Sequence, residues 1–77
     1  MNFWYIVEEK SHYDAKHKSI GAPISAEIVE IKPRHTAGKH EWHDTETIEG
    51  DMYTRRRWCR TKGDALFEIK FHMRTAK

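Results

Sequence analysis

Apolar positions along this chain mostly alternate in short runs, and the elements they predict are mainly strands. Phe3 to Glu9 is aromatic and β-branched and has strand length. Phe3, Tyr5 and Val7 fall on one face of such a strand, with Trp4 and Ile6 on the other. Apolar groups on both faces predict a central place in a sheet. Residues 10–22 are polar, with three Lys, two His and a Gly21 shortly before Pro23, and read as a loop. Ile24, Ala26 and Ile28 alternate as in a strand, while Ile24, Ile28 and Ile31 also fit a helix face behind Pro23. The β-branched content and short length favour a strand over Ile24 to Lys32. Pro33 closes it, and Pro33 to His40 reads as a loop around Gly38.

The segment from 41 to 60 carries the clearest signal. Glu41 to Glu49 and Met52 to Arg60 flank Gly50-Asp51, a two-residue turn with glycine first, as a type II′ hairpin requires. That turn sets Glu46 opposite Arg55, Asp44 opposite Arg57 and Glu41 opposite Arg60. It also sets Ile48 against Tyr53 and Trp42 against Cys59. Each exposed cross-strand pair contributes only about 0.2–1 kcal/mol, but together they specify one register.

Beyond the hairpin, Thr61 is placed to cap a helix, with Asp64 at its third position. Ala65, Leu66, Ile69 and Met73 would form the buried stripe, and Arg74 and Lys77 suit the negative end of the helix dipole. A strand competes for the same residues, because Phe67, Ile69, Phe71 and Met73 alternate with Glu68, Lys70, His72 and Arg74. The cap and the good helix formers favour the helix. The expected fold is therefore a single α+β domain over 1–77. It has a small antiparallel sheet of about four strands, including the 41–49/52–60 hairpin, and one C-terminal helix. The alternative is an all-β five-stranded meander or small barrel.

Length then bounds stability. A core built from 77 residues rarely leaves more than about 3–5 kcal/mol without a staple. Cys59 is the only cysteine, so an intrachain disulfide is ruled out and a lone thiol fits a reducing compartment. Partner binding or homodimer formation would supply what the core lacks. No run approaches the roughly 20 apolar residues that span a bilayer, and the first residues lack a basic, leader-like start. The expectation is a cytoplasmic chain without membrane association, in the host cell if phage-encoded.

Net charge is only +2, but it is unevenly placed. Residues 33–51 hold Arg34 and Lys39 against five acids, whereas residues 52–77 hold eight Lys or Arg against Asp64 and Glu68. An acidic segment thus directly precedes a basic one.

Candidate chemistry adds little to this. His35, His40, His43 and Cys59 invite a metal, but no anchoring Cys-x-x-Cys or His-x-x-x-His pair exists. The histidines read as solvated groups whose charge changes between about pH 6 and 7. The glycines stand singly at turns, so no phosphate-cradling loop is present, and the serines lack a nucleophile setting. Neither a cofactor nor an enzymatic activity is expected.

Arg55-Arg56-Arg57-Trp58-Cys59-Arg60 could clamp phosphates while stacking a base. In the expected register, however, Arg55, Arg57 and Arg60 each face a carboxylate. The hairpin instead combines Trp, Arg and polar groups in the way of protein hot spots. His43, Arg56 and Trp58 share one face with Thr45. Asp44, Glu46, Tyr53, Arg60 and Lys62 complete the candidate binding set. In type, a small domain with a charge-striped hairpin and no catalytic motif resembles phage-encoded accessory proteins, such as anti-CRISPR-like inhibitors of host defence. No residue is carried over from any family. That resemblance implies a non-enzymatic protein that binds and modulates or inhibits a protein target. A small nucleic-acid-binding protein using the basic strand and C-terminus is the alternative.

Overall fold

A computed structural model describes residues 2–36, 38 and 42–74. Strands β1 (Phe3–Asp14), β2 (Ser19–Pro33), β3 (Thr45–Glu49) and β4 (Met52–Cys59) precede one helix, α1 (Lys62–Arg74). The strands form one antiparallel sheet in the order β2-β1-β4-β3. The α+β expectation holds, and 62–74 is helix, not a fifth strand.

β1 lies between β2 and β4, as its two apolar faces require. Val7 is fully buried on the helix side, packed with Cys59, Ala65, Tyr5, Ile28 and Ile69. Ile6 is fully buried on the opposite, open side.

The loop expected over 10–22 is instead the end of one hairpin strand and the start of the next. β1 runs on to Asp14, and β2 begins at Ser19. The continuation past Glu9 is hidden because it is polar and yet Ser11 is buried, at 2% exposed, like Glu9 before it at 5%. The turn between them is held by Asp14, whose Oδ1 accepts from the backbone N–H groups of Lys16 (3.0 Å) and His17 (3.2 Å). Lys18 takes the left-handed position at φ 51°, where glycine would have announced the turn. After β2, Arg34–Thr36 forms one 3-10 turn, and most of the expected loop that follows lies outside the described residues.

The second hairpin has the expected register, with Glu46 opposite Arg55 and Ile48 opposite Tyr53. Gly50 sits at φ 64° while Asp51 keeps a negative φ, which fits a type II′ turn and excludes type I′. The hairpin is shorter than expected. β3 starts at Thr45, Trp42 and His43 lie in a bend, and Trp42 does not oppose Cys59. The expected Glu41–Arg60 pair lies outside the described residues.

Thr61 caps α1 as expected, its Oγ1 accepting from the Asp64 N–H at 3.0 Å. The buried stripe differs from expectation. Ala65 is buried and Ile69 half-buried, but Leu66 and Met73 are exposed. The sheet under the helix explains the shift, because Arg57 and Glu9 face it. Glu68 meets Arg57 at 2.8 Å, and His72 meets Glu9 at 2.8 Å. Polar residues on the helix answer polar residues on the strands. Among the described residues, no helix is long and apolar enough to cross a membrane.

Candidate functional site

α1 covers one face of the sheet and leaves the other bare. Register places Trp4, Ile6, Glu8 and Lys10 of β1 on that open face, beside Trp58, Arg56 and Thr54 of β4 and Lys32, Glu30 and Glu27 of β2. At one end, aromatic rings gather over Ile6. Trp42 stacks on Trp4 at 6.1 Å and 8°, and Trp58 meets Trp4 edge-on at 6.0 Å and 79°. His43 stacks in turn against Trp42 at 5.1 Å.

Two cations close around the same ring. The guanidinium of Arg34 lies 5.0 Å from the Trp4 ring centre, and that of Arg60 lies 5.7 Å away. Arg34 is held from three sides. Its backbone N–H donates to the carbonyl of Asn2 (3.1 Å), its Nε to that of Phe3 (3.1 Å), and its Nη2 to that of Arg60. Pro33 ends β2 and directs Arg34 back across the sheet end. Ring pairs contribute about 0.5–1.5 kcal/mol beyond burial and cation–π contacts about 0.5–2, so this corner is organised before any partner arrives.

The rest of the open face mixes signs. Arg56 reaches Glu30 at 3.4 Å and Lys10 reaches Glu8 at 3.7 Å, while Glu8 pairs in register with Glu27. Exposed pairs of this kind are worth about 0–1 kcal/mol and exchange readily for a partner's charges.

No family model, curated protein or solved structure matches this chain.

The eight residues singled out from the sequence divide between the two faces. Arg56, Trp58 and the Arg60 guanidinium gather on the open side, with His43 at its rim. Asp44, Glu46 and Tyr53 belong to the helix side. Tyr53 is buried and donates its hydroxyl hydrogen to Glu46 Oε2 at 2.5 Å. Burial first, and Glu46 second, push its phenol up to about 12. Asp44 links the faces. It accepts from the Trp58 backbone N–H at 3.2 Å and lies 3.4 Å from Arg57 Nε, matching the expected Asp44–Arg57 pair. Lys62 is exposed at the first residue of α1.

Trp4, Trp42 and Arg34 were not foreseen as site residues. Trp4 had a legible signal, since it lies opposite Val7 on a strand with two apolar faces. Trp42 and Arg34 lie outside the strands, where alternation gives no signal.

Among the described residues, two open clefts stand out on the helix side. One, of about 260 Å³, is lined by Asp44, Arg57, Cys59, Phe67 and Glu68 among others; both of these carboxylates are engaged by Arg57. Burial there pushes the Cys59 thiol up to about 11, away from thiolate chemistry. The other, of about 190 Å³, is lined by Glu9, Ser11, Tyr53, Arg55 and His72 among others. Among the described residues, no group of three or more His, Cys, Asp or Glu is placed to hold a metal ion.

Proposed function

We propose that this chain is a non-enzymatic binding protein that engages a protein target through the open face of its sheet, modulating or inhibiting it. It would act in the cytoplasm, where Cys59 remains a thiol. The tryptophan and arginine corner carries the proposal. Interface hot spots are enriched in Trp, Tyr and Arg held in well-packed surroundings, and rigid aromatic anchors lose little entropy on binding. Here Trp58 and Trp42 are presented around Trp4, with Arg34 and Arg60 alongside. The ring of Glu8, Glu27, Glu30, Lys10 and Arg56 has the mixed polarity of an interface rim.

Nucleic acid is the second reading, favoured by cations standing beside aromatic rings. Two features weigh against it. Arg34 and Arg60 already occupy positions over Trp4, where a base would stack. Arg56 and Lys10 already lie beside Glu30 and Glu8, which leaves them less free to hold phosphate.

The test uses the full chain as bait, with Arg56→Ala and Trp58→Ala as controls. A protein partner that survives nuclease treatment and is lost with both variants supports the proposal. If nothing but nucleic acid is captured, and oligonucleotide affinity falls steeply between about 50 and 200 mM salt, the second reading replaces it. In that case Glu30→Gln, which frees Arg56, tightens oligonucleotide binding.

A further inference from the structure

We infer that the outward face of α1 is a second docking surface, shaped for an acidic amphipathic segment of a partner protein. The helix turns Ala65, Glu68, Ile69 and His72 toward the sheet and leaves much of its apolar content outside. Leu66 is 50%, Phe67 64% and Phe71 58% exposed. Phe67 and Phe71, one turn apart, stack on each other at 6.2 Å and 20°. Single exposed apolar residues are ordinary on a protein surface, but two phenylalanines stacked in the open mark an interaction site.

Charge decides the kind of partner. Lys70 and Arg74 share the outward side with Phe67 and Phe71, by the i,i+3 and i,i+4 spacing of a helix. Both are exposed, and neither makes an ion pair among the described residues. The acids of α1 flank this stretch. Glu68 points inward onto Arg57 at 2.8 Å, and Asp64 sits in the first turn. From Leu66 to Arg74 the outward face is therefore apolar and cationic, with no anion on it among the described residues, and Asp64 and Asp44 border it only at the Phe67 end. An acidic amphipathic helix offers carboxylates to Lys70 and Arg74 and an apolar stripe to the phenylalanines. A second copy packed through the same face would bring like charges together.

This surface lies on the side of the sheet opposite the tryptophans. The two faces can therefore be occupied at once, and neither depends on the other.

The experiment titrates the full chain into a labelled helical peptide of about 18 residues, with leucines at i, i+3, i+4 and i+7 and glutamates between them. Two control peptides are a scramble of the same composition and a version with lysine for glutamate. The acidic amphipathic peptide should bind about tenfold more tightly than either control. Phe71→Glu and Lys70→Glu should each weaken that binding about tenfold, and Lys16→Ala, in the turn between β1 and β2, should leave it unchanged. Phe71 and Lys70 are exposed, so both variants retain the fold, which amide spectra verify. Equal binding of the scramble, or indifference to Phe71→Glu, overturns the inference. So does self-association that Phe71→Glu abolishes, which would assign the face to a second copy. No open-face residue enters this test, so its failure leaves the tryptophan surface standing.

Discussion

His72 of α1 meets Glu9 of β1 with Nδ1 2.8 Å from Oε2, while its Nε2 lies 3.1 Å from the carbonyl oxygen of Lys10. A carbonyl can only accept, so Nε2 carries a hydrogen. Nδ1 then either donates to a Glu9 carboxylate or accepts from a neutral Glu9 acid, and the pair holds one shared proton. The other carboxyl oxygen, Oε1, is buried without a hydrogen-bond partner among the described residues, although Arg55 opposes Glu9 in register. Burial accordingly raises the Glu9 carboxyl above its ordinary value of 4.5, with His72 pulling it partly back.

A carboxyl raised in the folded state binds its proton more tightly there than in the unfolded chain. Its stabilising contribution is complete below the unfolded value and is lost as pH rises through the folded one. We therefore expect stability toward urea to decline as pH climbs from 4.5, and Glu9→Gln to flatten that slope. Asp14 does not confuse the measurement. Its hydrogen bond with His17 lowers it from 3.8, so its contribution is lost only as pH falls further. Parallel slopes for variant and wild type would show that Glu9 does not carry the effect.

Arg57 joins three elements, reaching Glu68 of α1 at 2.8 Å and Asp44 ahead of β3 at 3.4 Å. Arg57→Met should cost about 1–2 kcal/mol, because it leaves the half-buried Glu68 carboxylate without its cation. Glu68→Gln should cost less, and a double-mutant cycle between the two should return about 1 kcal/mol of coupling. Strict additivity would mean that the pair is a surface contact of no consequence.

Where the sequence was legible, local rules agreed with one another. Gly50 and the opposed charges of 44–57 and 46–55 all specified one register, and Thr61 with Asp64 announced the start of α1. Where it misled, buried polar groups had taken apolar positions. Ser11, buried like Glu9 before it, continues β1 through a segment that reads as loop, and Glu68 and His72 replace Leu66 and Met73 in the helix stripe. Of the candidate site, Arg56 and Trp58 could be read from strand alternation. The stacking of Trp42 and the anchoring of Arg34 depend on tertiary contacts far apart in the chain, which periodicity does not encode.

Cys59 should behave as an inert thiol. It is 8% exposed, and its raised pKa leaves about 100-fold less thiolate at pH 8 than a thiol at the ordinary 9.0 would have. Labelling by a disulfide reagent in native buffer should be slow and should accelerate with denaturant in step with unfolding. Prompt labelling without denaturant would mean that the layer between α1 and β4 opens locally.

Trp4 and Trp42 stack on one another yet should respond very differently to truncation. Trp4 is 9% exposed, lies on the same face as Ile6 and receives both guanidiniums, so Trp4→Ala removes the centre of the corner. Such a loss costs about 3–5 kcal/mol, which is the whole stability expected of a chain this small. That variant should be largely unfolded by circular dichroism. Trp42 is 44% exposed and contributes mainly its stack, so Trp42→Ala should cost only about 1 kcal/mol and keep native amide dispersion. It is thus the variant that separates folding from recognition. A folded Trp42→Ala protein that no longer retains its partner would locate binding at the tryptophan corner. Full retention would move the anchor to Trp58 and Arg56 alone.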